Sequence, residues 1–307
     1  MEVFQNPSEL KGKAGRFCVA IGFFDGVHLG HQQILHQTIA DAEVHGAASL
    51  VVTFDRHPAT VVAPERAPRL IYPKWKRTSV IRGEGVDYLL EIPFDKEFSQ
   101  KTGEEFISYL QTGLGNLNSI CVGGLFSFGK GRSGNVSLLK DLGQRDGFIV
   151  HGLSAVALDG ESVSSTRIRG VIEQGEFDAA SQMLGRGYSL CGEVIKGDQV
   201  GRQLGFPTAN LSIEGMRTPP HGVYAVRVKV EGETHCAVFN LGMRPTLQSP
   251  TPSLHAEAHL PDCEGDLSGK RIEVSFLEKL REEMRFSGLD ELKQQIGQDI
   301  EQAKTLF

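Results

Sequence analysis

The sequence contains no Cys-x-x-Cys pair, no basic stripe, and no apolar run approaching the roughly 20 residues that a membrane-spanning helix requires. Each absence excludes a class of function. The five cysteines, Cys18, Cys121, Cys191, Cys236 and Cys263, are scattered singly, so neither a disulfide framework nor a zinc ribbon is indicated, and reduced, mostly buried thiols are expected. A formal charge of −6 argues against an extended phosphate-backbone partner, which excludes nucleic acid as the expected ligand. The segment 1–13 lacks the apolar centre of a signal peptide, and no membrane anchor is read elsewhere, so a cytoplasmic protein is expected. Composition leaves the oligomeric state open, a homo-oligomer included.

What is present divides into two parts, expected as domains over 1–185 and 186–307. In the first, apolar strand candidates (17–23, 48–54, 88–92, 119–122, 149–152) alternate with helical patterns (31–45, 75–83, 103–112, 167–184). Such alternation predicts an α/β fold, a parallel sheet covered by helices, with ligands at the carboxyl ends of strands. In the second, β segments follow one another closely (188–195, 222–231, 233–241, 255–260, 271–280), which predicts an antiparallel barrel or sandwich. A terminal helix is expected from Leu289, Leu292, Ile296 and Ile300 on one face, with Glu291, Lys293, Gln295 and Gln298 elsewhere.

The most informative string is Gly22-Phe23-Phe24-Asp25-Gly26-Val27-His28-Leu29-Gly30-His31. It follows the apolar run Phe17-Cys18-Val19-Ala20-Ile21, and Gly22, Asp25 and Gly26 tolerate the tight backbone of a turn. From His28 onward the spacing of Ile34, Leu35, Thr38 and Ile39 suits a helix. The unpaired N–H groups and positive dipole end of its first turn attract an anion. His28 and His31 then share a face, Gly30 leaves the backbone open to a phosphate, and both imidazoles can donate to oxygens that gain charge in a transition state. A surface histidine pair or a metal pair fits the same spacing, but no nearby third ligand supports zinc.

Three more strings carry chemistry in the first half. Thr53-Phe54-Asp55-Arg56-His57-Pro58 ends the second strand, on the same sheet edge as the opening string. Ser164-Ser165-Thr166-Arg167-Ile168-Arg169 places hydroxyls before a helix, with an arginine fork one turn later, which suits an oxyanion. Val122 to Arg132 is a glycine-rich loop bearing Phe126, Phe128, Lys130 and Arg132. In the second half, Gly197-Asp198-Gln199-Val200-Gly201-Arg202-Gln203-Leu204-Gly205-Phe206-Pro207-Thr208-Ala209-Asn210 has glycines that let a loop wrap phosphates, but not the Gly-Lys-Ser/Thr ending of a P-loop. Thr208 and Asn210 stand two apart, so on an extended segment both oxygens face one side, where a magnesium ion on nucleotide phosphates can use them. Asn240 to Thr246 and Glu257-Ala258-His259-Leu260 follow.

The opening string resembles the His-x-Gly-His signature of nucleotidyltransferases, in the longer form found in the FMN adenylyltransferase half of prokaryotic bifunctional riboflavin kinase/FAD synthetases. The order Leu-Gly-Phe-Pro-Thr-Ala-Asn, Gly222-Val223-Tyr224, Asn240-Leu241-Gly242 and Glu257-Ala258-His259-Leu260 resembles the riboflavin kinase half. The resemblance implies a Rossmann-like nucleotidyltransferase domain followed by a β-barrel kinase domain. It implies riboflavin, FMN, FAD and ATP as ligands, ATP as co-substrate and Mg²⁺ as cofactor. It implies Glu257 as general base, His28 and His31 as catalytic, and Thr208 and Asn210 as metal ligands. ATP or its phosphates fall to Gly22, Phe24, Asp25, Gly30, Ser165, Thr166, Arg169, Gly197, Gly201 and Gly205. Flavin contacts fall to His57, Pro58, Phe126, Phe128, Arg281 and Phe286. One departure stands out: Leu125 occupies a position where relatives usually carry Asp or Asn, and leucine neither donates nor accepts a hydrogen bond. A kinase with a weakened adenylyltransferase half, or a non-catalytic flavin carrier, are the alternatives; Thr208, Asn210 and Glu257 speak against the carrier.

Overall fold

A computed structural model describes residues 1–196, 208–244, 253–261, 263, 265–284 and 286–306. The chain forms two compact units, one built from 1–69, 74–167 and 183–185, the other from 70–73, 168–182 and 186–307.

The first unit holds six parallel strands: β1 (Glu2–Phe4), β2 (Phe17–Ile21), β3 (Ala48–Phe54), β4 (Tyr88–Ile92), β5 (Leu117–Gly123) and β6 (Ile149–Leu153). All five residues of β2 are buried, because helices cover both sheet faces. Alternation along the strands sorts the core into two layers. Val19, Ile21, Leu50, Val52, Ile120 and Val122 pack with Phe106, Ile107 and Leu110 of α3 (Gly103–Leu114). Ala20, Val51, Leu89 and Cys121 pack with Ile34 and Leu35 of α1 (Leu29–His45) and Ile81 of α2 (Lys74–Gly83).

Strand order β1-β4-β3-β2-β5-β6 puts β2 in the middle, with β3 on one side and β5 on the other. The chain reverses direction across the sheet there, so the crevice for a ligand opens between the carboxyl ends of β2 and β5. The strand expected over 17–23 ends at Ile21, since Phe24 takes a left-handed φ of 58° and starts the turn. The helix expected over 167–184 is two helices, α5 (Ser165–Gln174) and α6 (Phe177–Leu184), parted where Gly175 adopts φ 79°. A helix over Val136–Asp146 (α4), capped by the Asn135 side chain accepting from the Leu138 N–H at 3.0 Å, was not foreseen, nor was β1.

The second unit is a closed antiparallel barrel rather than a sandwich. Its strands are β7 (Leu190–Ile195), β8 (Thr208–Ser212), β9 (Gly222–Val230), β10 (Glu233–Arg244), β11 (Ser253–His259) and β12 (Arg271–Arg281), in the order β7-β8-β11-β10-β9-β12. Leu211, Val226, Val228, Phe239, Leu241, Ala256, Ala258, Ile272 and Val274 form a single buried cluster. The alternate residues point outward. There, Ile300 and Ala303 of α7 (Leu289–Lys304) cover Val223, Ala225 and Val238. A bidentate pair fastens the helix: Arg281 Nε and Nη2 donate to the two carboxylate oxygens of Asp299 at 2.9 and 2.8 Å, with Asp299 only 3% exposed. None of the five cysteines is in a disulfide; Cys18, Cys121 and Cys191 are buried. No helix among the described residues is long and apolar enough to cross a membrane.

Candidate active sites

The opening string lies at the carboxyl end of β2, at the crevice where the sheet reverses. His28 is the N-cap of α1, and its Nδ1 accepts the His31 N–H at 3.4 Å. The two imidazoles stack with centroids 3.7 Å apart and planes 18° from parallel, and Phe24 meets His31 edge-on at 5.2 Å. Gly30 leaves room for this stack, since a Cβ there would sit 3.3 Å from His28 Cε1 and press on the ring. Gly22 is tight in the same way: a Cβ would lie 3.1 to 3.3 Å from the Phe24 ring.

Strained backbone shapes the turn, with φ of 58° at Phe24, 79° at Gly26 and 43° at Val27. Several side chains hold it. Thr53 Oγ1 donates to the Phe23 carbonyl at 3.1 Å, and Arg77, 2% exposed, donates to the carbonyls of Phe23 at 3.3 Å and Phe54 at 2.6 Å. Arg77 also pairs with buried Glu91 of β4 at 3.3 Å and stacks over the Phe23 ring at 4.3 Å. Burial lowers the Arg77 pKa from its ordinary value, while the charges of Glu91 and Asp25 oppose that fall. Lys74 caps the other oxygen of Glu91. Neither Arg77 nor Glu91 was expected in the site, although Glu91 is the one charge in the apolar run Tyr-Leu-Leu-Glu-Ile.

The second string of the first half reaches the first. Ser165 Oγ donates to the Asp25 carbonyl at 2.9 Å across 140 residues of sequence. Ser164 Oγ accepts the Arg167 N–H at 3.2 Å at the start of α5; Thr166 is exposed and Arg169, one turn past Ser165, is 9% exposed. The third string arrives through His57, whose ring meets Phe23 edge-on at 4.7 Å and whose Nδ1 accepts the Ala59 N–H at 3.1 Å. Pro58 begins the short helix that follows. Phe126 and Phe128 stack at 5.2 Å and pack on the core beneath, leaving part of each ring in solvent. Leu125 stands 97% exposed.

On the barrel, register assembles the second site. Asn210 of β8 pairs with Glu257 of β11, and Glu257 pairs in turn with Asn240 of β10. Thr208 is opposite His259. Because Ala209, Ala256 and Ala258 point into the barrel, Thr208, Asn210, Glu257 and His259 share its outer surface. His255 Nδ1 lies 4.0 Å from a Glu257 oxygen, and the Glu257 side chain keeps 24% of its surface in solvent. A carboxylate flanked by two amides can accept a proton while the amides orient what approaches it. Nothing in the local sequence gives Asn240 a role; its place beside Glu257 comes from strand pairing. The hydroxyl of Thr208 and the amide of Asn210 are hard oxygen ligands of the kind magnesium takes.

Arg281, read from the sequence as a flavin contact, already has partners within the barrel unit. Its guanidinium is engaged by Asp299 and the Glu282 carbonyl, with the Phe286 ring 5.8 Å away. Gly197, Gly201 and Gly205 lie outside the described residues.

Comparison with known proteins agrees with this division. The FAD synthetase family matches residues 11–167 and the riboflavin kinase family matches residues 184–307. A bifunctional riboflavin kinase/FMN adenylyltransferase of Pseudomonas fluorescens is 41% identical over 294 residues, covering 95% of this chain and 93% of that protein. Those of Escherichia coli K12 and Bacillus subtilis are 36% and 32% identical, over 94% and 97% of this chain and 93% and 95% of their own. A crystal structure described as a macrolide-efflux protein from Streptococcus pneumoniae is 26% identical with a TM-score of 0.79, covering 98% of both chains. With matches to both families, and full-length relatives above 30% identity, the chain belongs to the bifunctional riboflavin kinase/FMN adenylyltransferase family.

Proposed function

We propose that the two sites work in series, the barrel site first. Both activities follow from family membership: riboflavin and ATP give FMN and ADP, and FMN with a second ATP gives FAD and pyrophosphate. On the barrel, Glu257 takes the proton of the 5′-hydroxyl of the ribityl chain as that oxygen attacks the γ-phosphorus of ATP. Asn210 and Asn240 flank the carboxylate and hold the approach. The pairing of Glu257 with both amides is the observation that carries this assignment. Thr208 and Asn210 are the residues that would hold Mg²⁺, which supplies charge neutralisation on the phosphates when bound.

At the sheet crevice no side chain need act as nucleophile. The FMN phosphate attacks the α-phosphorus of ATP, and the chain aligns the two and stabilises charge as pyrophosphate leaves. His28 and His31, with the first N–H groups of α1, are the donors we assign to the phosphates; Ser165, Thr166 and Arg169 are assigned to the leaving pyrophosphate. Gly22, Phe24, Asp25 and Gly30 shape the cradle. His57 and Pro58, with the exposed edges of Phe126 and Phe128, line the flavin side. For Arg281 and Phe286 the support is weaker, since the Asp299 pair already occupies the guanidinium. We place the functional boundary between residues 185 and 186. The need for ATP supports a cytoplasmic place of work.

The test is a pair of reactions with purified protein, ATP and Mg²⁺, one given riboflavin and the other FMN, with the flavins separated by chromatography. FMN and FAD in the first tube and FAD in the second support the series. No new flavin in either tube overturns it.

A further inference from the structure

A carboxylate, a thiol and an imidazole converge on the first unit, among residues that neither reaction uses. Cys121 of β5 and His151 of β6 are direct partners in the parallel register, so their side chains leave the sheet on one face. Asp41 of α1 lies over both. Its Oδ2 is 3.0 Å from His151 Nε2 and 3.6 Å from Cys121 Sγ, and the three donor atoms all fall within 4.8 Å of one another. Asp41 is 8% exposed and Cys121 fully buried, whereas the His151 side chain, on the edge strand of the sheet, keeps 32% of its surface in solvent. An ion therefore has a way in.

We propose that Asp41, Cys121 and His151 bind a borderline divalent transition-metal ion of the zinc class, with water as the fourth ligand. One sulfur, one imidazole nitrogen and one carboxylate oxygen is a donor set that zinc accepts and that magnesium or calcium, which favour oxygen, do not. The two separations measured from Asp41 are close to what a tetrahedral ion imposes, and sulfur and nitrogen lie within 4.8 Å of each other. With metal–sulfur near 2.3 Å and metal–nitrogen and metal–oxygen near 2.0 to 2.1 Å, sulfur and oxygen stand about 3.6 Å apart and nitrogen and oxygen about 3.3 Å. The first separation is already met, and the second needs a shift of a few tenths of an ångström at the half-exposed histidine.

The surroundings also fit a ligand carboxylate. Ser119 Oγ donates to Asp41 Oδ2 at 2.9 Å and Gln37 Nε2 donates to Oδ1 at 2.8 Å, the outer hydrogen bonds that fix such a group. Without a cation, burial pushes the Cys121 thiol up to about 12. Ligation releases that proton to solvent, so the complex forms with loss of one proton and no change of oxidation state. The ion would tie α1, whose N-cap is His28 and whose first turn carries Gly30, to β5 and β6.

The experiment loads the full chain with Co²⁺ alone, removes the free ion by gel filtration, and records metal content and absorption. The expected result is one cobalt per chain with a thiolate-to-cobalt charge-transfer band that Zn²⁺ abolishes. Cys121→Ser should lose the band, and His151→Gln, at a half-exposed position that tolerates change, should weaken cobalt binding by roughly tenfold or more while keeping the circular dichroism of the parent. No retained cobalt, or a band that survives Cys121→Ser, would overturn the site and leave the cluster a hydrogen-bonded network around Asp41.

Discussion

Arg77 and Glu91 form a buried ion pair beneath the turn that follows β2, and the same guanidinium donates to the carbonyls of Phe23 in that turn and of Phe54 at the end of β3. The pair joins α2 to β4 and fastens two loops at once. A charge so deeply buried is stabilising only while its partners remain. Arg77→Met should therefore cost about 3 kcal/mol in denaturant unfolding of the first unit. Where the protein still folds, FAD formation should fall more than FMN formation, because Phe23 and Phe54 lose the donor that holds the turn. Equal loss of both activities would argue that Arg77 supports folding alone.

Gly30→Ala separates positioning from stability. The new methyl would press on His28 at 3.3 to 3.4 Å, displacing a ring that stacks on His31. Alanine favours a helix over glycine by up to about 1 kcal/mol, so the fold should not weaken. FAD formation should drop by roughly tenfold with FMN formation unchanged. An unaltered FAD rate would remove His28 from the reaction.

Leu125 carries no structural duty, being 97% exposed. Leu125→Asn should leave the melting temperature within about 2 °C of the parent, as expected for an exposed site. It introduces a polar group in the loop after β5, where the family resemblance leads to Asp or Asn, and FAD formation from FMN should rise. A rate that stays the same would mean that this position makes no contact the reaction needs.

Asp55, in the loop after β3, is expected to contribute to acid sensitivity. Burial opposes its ionisation, but hydrogen bonds from the Arg56 side chain and the Phe94 N–H outweigh burial and hold its carboxyl below the usual 3.8. The folded state binds this proton less readily than the unfolded chain does. Its contribution is thus present above the ordinary value and lost as pH falls below it toward the depressed one. Thermal unfolding followed from pH 6 to pH 2 should show a shallower acid limb in Asp55→Asn than in the parent.

The elements visible in the sequence are those set by local chemistry. Gly22, Gly26 and Gly30 with two histidines announce a turn and a helix start, and the structure puts His28 at the N-cap. The core strands of the parallel sheet were legible as apolar runs between turn residues, whereas β1, with three residues, is too short to show a period. Long-range pairing was hidden. Nothing local reveals that Asn210 and Asn240 bracket Glu257, because antiparallel register is fixed by strands distant in sequence. The same holds for Arg77, which reads as an ordinary polar helix residue, and for Arg281, whose carboxylate partner lies 18 residues on in α7.

The most direct test of two separate sites is Glu257→Gln, assayed in two arms. The variant keeps the shape of the side chain and its place between Asn210 and Asn240, and removes only the base. From riboflavin, FMN formation should fall by roughly 10²- to 10⁴-fold. From supplied FMN, FAD formation should match the parent. Loss of both activities together, or a kinase rate unchanged by the substitution, would contradict the account.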